Sequence, residues 1–288
     1  MSQVATTAIK VAAPKADASR VAAVRNSLDL KDRNALEAFG ERARREVTAG
    51  IERLLAEVRS RDVVGAGEIL NEMAGAVRGL ETSILTPKGG VAGLFDSRDG
   101  RLDRFRSRFD GQWKVIKSLG DDLTERAERI GRRVQALNAL HEQSRTYILE
   151  LDAYLDAGRI RVNEVVASPA DHLEHLKRRL ESLGAVRRAA IAQLPLVRLV
   201  QNTEAPLEAM LKAPVAAMQS WRADWVDRLG MRLERGVRIR PDEVGLEAAR
   251  NALLQAIETA AAQIAATRTR RAEAEVLMED AAKTLRKP

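Results

Sequence analysis

The chain has no cysteine. That excludes disulfides, thiolate metal sites and any reaction in which the protein's own thiol reduces a substrate. Aromatic residues make up only 3% of its 288 residues, so a core must be built from Leu, Ile, Val and Ala. A core of that kind is thin, and it suits long helices packed in pairs or bundles rather than a thick globule. Proline and glycine are few, which excludes collagen-like and low-complexity architectures. No stretch approaches the roughly 20 apolar residues that a membrane span needs. The N-terminus lacks the compact apolar run of a secretory signal. What is present is 45% hydrophobic and 31% charged residue, rich in Ala, Leu, Arg and Glu, which are the best helix formers. The formal charge is +7, from 48 basic and 41 acidic side chains. Most bases alternate with acids, so solubility is the first reading and an acidic partner the second.

Hydrophobic spacing organises the chain. Met1–Asn26 reads as a disordered tail of a cytoplasmic protein; being basic and nearly free of acid, it also fits a presequence. The remainder, 27–288, reads as one elongated helical domain. Within 27–85, Leu36, Phe39, Ala43, Val47, Ile51, Leu54 and Val58 draw one stripe down a first helix from about Asp29 to Ser60. Ile69, Met73, Val77, Leu80 and Ile84 draw a second, and the short link predicts an antiparallel hairpin. Over 101–158, Leu102, Phe109, Ile116, Leu123, Ile130, Leu137 and Leu151 keep a seven-residue column, interrupted only by Ser144. That predicts one long helix, with Gly158 as its C-terminal cap. Region 168–236 should open at Ser168–Pro169 and be kinked or ended by Pro195, Pro206 and Pro214. A last long helix is expected over 241–287, with Leu246, Leu253, Ile257, Ala260 and Ile264 inward. The expected class is therefore all-α, an elongated bundle of long antiparallel coiled-coil-like helices. The heptads could close within one chain or between copies.

Little in this pattern performs chemistry. His172 and His175 are three apart and lack a third ligand, so no metal site and no cofactor is expected and a solvated face is preferred. His141 beside the heptad seam reads as a buried, hydrogen-bonded side chain. Gly89–Gly90–Val91–Ala92–Gly93 lacks the Lys–Ser/Thr of a phosphate loop and follows no strand. No serine sits in a nucleophile elbow, and no carboxylate pair is placed for acid–base work, so no catalytic residue is assigned. A basic patch of Arg232, Arg235, Arg238, Arg240, Arg268, Arg270 and Arg271 offers contact with nucleic acid or anionic lipid, but without a stripe of exposed aromatics nucleic acid is not favoured. The odd local feature is Pro195, Arg198, Gln201 and Asn202 inside an apolar helical run. Arg198 and Gln201 share a face, and if buried both must be hydrogen-bonded.

Four stretches resemble the toxic-anion-resistance (TelA-type) family. They are Leu28–Asp29–Leu30 leading to Phe39–Gly40, the segment Tyr147–Gly158, Pro195–Leu196–Val197–Arg198–Leu199–Val200–Gln201–Asn202, and Trp221–Arg222. The third is similar to a Pro-Gln-Ile-Arg-Leu-Ile-Gln-x-Asn signature, with Leu196 in place of its glutamine. The resemblance spans about Leu28 to Leu229. It implies a part in bacterial resistance to tellurite or related oxyanions, in the cytoplasm and in some cases near the envelope. The reading that follows is a non-enzymatic helical scaffold in a stress response. It acts through partner proteins, with the surface of the inner membrane as a second location. Pro195, Arg198, Gln201, Asn202 and Trp221 form its functional motif. Two alternatives stand beside it: direct oxyanion binding by Arg198 and Gln201, and binding of nucleic acid or anionic membrane through the arginine clusters.

Overall fold

A computed structural model describes residues 15–59, 62–86, 97–164, 170–233 and 239–286. Among these the chain is helical, with no strand. The helices are α1 (Ala18–Ser27), α2 (Arg33–Ala38), α3 (Glu41–Val58), α4 (Asp62–Arg78), α5 (Arg98–Glu164), α6 (Ala170–Glu204), α7 (Leu207–Arg228) and α8 (Glu243–Arg286), with a 3-10 turn at Thr82–Leu85. No described helix is long and apolar enough to cross a membrane.

The chain divides into two compact units: unit 1 comprises 1–60, 133–203 and 270–288, and unit 2 comprises 61–132 and 204–269. In unit 1 one apolar cluster gathers Leu36, Phe39, Val47 and Ile51 of α2–α3 with Ile148, Leu151 and Leu155 of α5 and Leu176 and Leu183 of α6. A second gathers Leu54, Leu55 and Val58 with Leu137, Val197, Val200, Ala274 and Met278. Here α5 and α6 run antiparallel, because Arg187 pairs with Asp152 (2.5 Å) while Arg198 pairs with Glu142 (3.0 Å). In unit 2 a single cluster joins α4, α5, α7 and α8. The seven-residue column is buried from Leu102 through Leu137 and again at Leu151, and the stripe from Leu36 to Val58 is buried throughout.

Several expectations are corrected. The stretch expected as a tail carries α1, whose first amides are capped by the Asp17 carboxylate accepting from the Arg20 N–H at 2.8 Å. The first long helix is split at Phe39–Gly40, because Gly40 takes a left-handed φ of 68°. A β-carbon there would meet Leu183 at 2.7 Å, so both the backbone angle and the space call for glycine. Helix α5 does not end at Gly158 but runs to Glu164. Gly158 instead lets α6 approach, since a β-carbon would collide with Leu180. Pro195 lies inside α6, which continues to Glu204. The neighbouring Leu194 and Val197 are fully buried, and their packing offsets a proline cost of about 3 kcal/mol. Pro206 does interrupt the chain, between α6 and α7, whereas Pro214 is carried within α7. The helix start expected at Ser168–Pro169 and the glycines at 89–93 lie outside the described residues.

Candidate functional site

The motif residues Pro195, Arg198, Gln201 and Asn202 all lie on α6 in unit 1, and Arg198 is their centre. Its guanidinium donates to the Asn138 side-chain oxygen of α5 (3.1 Å), to Gln201 Oε1 one turn on (2.9 Å) and to Glu142 Oε1 (3.0 Å). Residues 198 and 201 meet because they are three apart on a helix, and α5 supplies the rest because the heptad column turns Leu137 inward and leaves Asn138 and Glu142 at the rim. Gln201 is buried, with no partner for its Nε2, whereas Asn202 is exposed.

Beneath this rim His141 is 1% exposed and donates from Nδ1 to the Glu142 carboxylate at 3.0 Å. Its Nε2 has no partner. Burial pushes the His141 imidazole below the ordinary histidine range; the bond to Glu142 opposes that shift, and the positive field of Arg198 adds to it. The same bond holds the Glu142 carboxyl below its usual range, helped by Arg145 and Arg198. Gln193, two turns before Gln201 and 1% exposed, has no partner at either end of its amide.

This arrangement is poorly suited to an anion. All three groups facing the Arg198 guanidinium are acceptors, one of them a carboxylate, and Gln201 presents its oxygen rather than its amide nitrogen. What it offers outward is a polar patch of Asn138, Glu142, Arg198 and Asn202 across two helices.

Trp221 is placed elsewhere, in unit 2. It packs against Trp225 (ring centroids 4.8 Å apart), Phe109 (5.3 Å) and Trp113 (6.5 Å). Arg222 lies over the Trp113 ring at 4.6 Å, and Trp225 donates from Nε1 to the Leu246 carbonyl at 3.0 Å. These are core contacts. Five of the seven arginines singled out in the sequence lie among the described residues. Arg232 is exposed and paired with Asp227 at 3.3 Å, Arg240 and Arg268 are exposed in unit 2, and Arg270 is exposed in unit 1. Arg271 is buried and donates to the Val58 carbonyl at the end of α3, a structural C-terminal contact. Arg235 and Arg238 lie outside the described residues.

His172 is not a solvated residue as expected, since its Nδ1 donates to the Leu30 carbonyl at 3.0 Å. Among the described residues no group of three or more His, Asp or Glu could hold a metal ion. The sequence reading also missed the arginines of unit 2 that bind backbone carbonyls: Arg106 donates to Leu229 (2.9 Å), Arg108 to Gly79 (2.7 Å), Arg98 to Ile239 (2.9 Å) and Arg250 to Leu80 (3.1 Å). These four guanidiniums hold loops and helix ends.

The sequence profile of a family described as toxic anion resistance protein (TelA) matches residues 21–174. The matched range holds Leu28–Gly40 and Tyr147–Gly158, and stops before Pro195. A TelA-like protein of Staphylococcus epidermidis is 18% identical over 69% of this chain and 60% of its own length. The uncharacterized protein YaaN of Bacillus subtilis is 22% identical over 73% of this chain and 61% of its own, and protein KlaB of Escherichia coli is 23% identical over 65% and 56%. The chain thus spans about 60% of the length of the curated relatives it matches. No solved structure matches it.

Proposed function

The chain belongs to the toxic anion resistance (TelA) family, and from that premise we propose that it serves bacterial resistance to oxyanions such as tellurite as a non-enzymatic helical scaffold. It works through partner proteins, in the cytoplasm or against the inner face of the membrane. The contact is the patch centred on Arg198, with Gln201 fixing the guanidinium from within α6.

The observation that supports the patch is the placement of Arg198 itself. Its side chain is 34% exposed, while it ties α6 to Asn138 and Glu142 of α5. A guanidinium held in a fixed orientation at a helix–helix rim loses little entropy when a partner docks, which favours it as an interface anchor. The absence of cysteine supports a role beside the redox chemistry rather than in it.

The test is cross-linking in tellurite-challenged cells, with a photo-reactive residue at Asn202. A partner captured by the wild type and lost with Arg198→Ala at equal protein level is the expected result. Equal capture by both proteins would remove Arg198 from the reading.

A further inference from the structure

Away from Arg198, the opening of α3 in unit 1 gathers three guanidinium groups around one carboxylate. Arg44 donates to Glu41 through Nε (2.8 Å) and a terminal nitrogen (2.7 Å), and Arg45 donates through Nε (2.9 Å). Arg179 of α6 donates to Glu41 Oε2 at 2.5 Å and to the Phe39 carbonyl at 2.8 Å. The geometry follows from the sequence. Positions 44 and 45 lie one turn beyond position 41, and the left-handed turn at Gly40 presents both the Phe39 carbonyl and Glu41 to α6. As a result the Glu41 carboxyl is held far below the usual carboxylate range, chiefly by its bonds to Arg44 and then to Arg179 and Arg45, against an opposing contribution from burial.

One carboxylate does not neutralise three guanidiniums, and two neighbouring acids are already matched. Glu37 pairs with Arg33 at 3.4 Å, and Glu174 with Lys177 at 2.7 Å. Beside the cluster lies an open depression of about 380 Å³, lined by Glu37, His175, Arg178, Arg179 and Ser182. That volume falls at the lower end of small-ligand sites, roughly 300–1,000 Å³. Counting Arg178 and Glu181, six basic side chains stand against four carboxylates in this neighbourhood. His175, Arg178, Arg179 and Ser182 recur at steps of three, one and three along α6, so one helix face carries an imidazole, two guanidiniums and a hydroxyl.

We propose that this depression binds a multiply charged oxyanion of the phosphate type, held by Arg178, Arg179, His175 and Ser182, while Glu41 occupies the inner guanidinium position as a built-in competitor. A dianion answers the excess positive charge, and guanidinium forks match its paired oxygens. A planar monocarboxylate would leave the excess unanswered. The site shares no residue with the Arg198 patch, so either reading can fail alone. The same chemistry would serve a free anion or a phospholipid headgroup.

The test is calorimetric titration of the full-length chain with inorganic phosphate, at an ionic strength held constant with sodium chloride. The wild type should bind phosphate with saturable heat that chloride does not give. Glu41→Gln, which removes the competing charge but keeps the side-chain shape, should tighten binding about tenfold. Arg178→Glu, a change at an exposed position, should abolish binding while the circular dichroism stays unchanged. Vesicles of phosphatidic acid in phosphatidylcholine form the second arm. Retention that phosphate displaces and Arg178→Glu loses assigns the headgroup, and phosphate heat without retention assigns the soluble anion. No saturable heat and no retention, in both wild type and Glu41→Gln, would overturn the proposal; so would full binding by Arg178→Glu.

Discussion

In unit 2 one apolar cluster takes in residues from Val63 to Ile264 and holds Phe105, Phe109, Trp113, Trp221 and Trp225, five of the nine aromatic rings in the chain. In unit 1 the apolar residues form two clusters. Along α5 the change from one to the other falls around His141, between Leu137 and Ile148; along α6 it falls between Leu194 and Val197, just after Gln193. His141 and Gln193 are buried polar groups with partnerless atoms. Carbonyl-bound arginines occur in both units, such as Arg106 and Arg108 in unit 2 and Arg179 and Arg271 in unit 1, while unit 1 also holds the half-exposed Arg198 and the crowd around Glu41. The same alphabet of Leu, Ala, Arg and Glu thus builds one apolar cluster in unit 2 and two in unit 1, with the buried His141 near the change along α5. The proposed contact at Arg198 lies in unit 1.

The comparison breaks most directly through the aromatic core. Trp225→Ala should destabilise unit 2 by about 3–5 kcal/mol, through lost burial and the cavity left in the core. Urea unfolding followed by circular dichroism reads that loss. A loss below 1 kcal/mol would mean that unit 2 is not held by its rings.

A smaller effect, of opposite sign, sharpens the contrast. Gln193→Met keeps the length of the side chain and removes two unpartnered polar atoms from the interior of unit 1. It should leave stability unchanged or raise it by about 1 kcal/mol. A fall of more than 2 kcal/mol would show that the amide is satisfied in solution and that the polar break is ordinary structure.

The next effect depends on pH. The folded-state pKa of His141 is lowered, so the unfolded chain binds its proton more readily, and stability rises with pH across that interval. Its contribution is complete above the ordinary histidine value of about 6.5 and is lost as pH falls from there toward the depressed folded value. Glu41 acts at lower pH: its carboxyl is also depressed, so its contribution is lost progressively below about pH 4.5. Melting curves from pH 7 to pH 5 should therefore show a decline that His141→Gln flattens. An equal decline in the variant would assign the loss to other groups. The smallest structural effect belongs to Arg198→Ala, which should cost under about 1 kcal/mol, because its ion pair reaches the surface and is screened. A larger loss would make Arg198 a structural clamp.

The helical class and the inward stripes were legible in the sequence because a period of 3.5 to 3.6 carries its own burial pattern. Leu36 to Val58 and Leu102 to Leu137 are buried as their spacing requires. Breaks were less legible, since they depend on tertiary contact. Pro195 and Gly158 carry local signals to stop a helix, and packing on Val197 and Leu180 overrides both. Gly40 reads like the other glycines until its backbone angle is seen. At the candidate site, Arg198 and Gln201 were readable as partners from their spacing. Asn138, Glu142 and His141 were not, because they come from another helix some sixty residues away. Trp221 was named for its place in a motif, and its contacts are those of a core residue. The Glu41 cluster was missed because two of its three arginines look like ordinary helix-surface charge and the third arrives from α6.

The most direct test of the central claim is tellurite survival of a deletion strain complemented with the wild type or with Arg198→Ala/Gln201→Ala, at matched protein level and matched melting temperature. The account predicts rescue by the wild type and none by the double variant. Equal rescue by both would contradict it and would move the function away from the Arg198 patch.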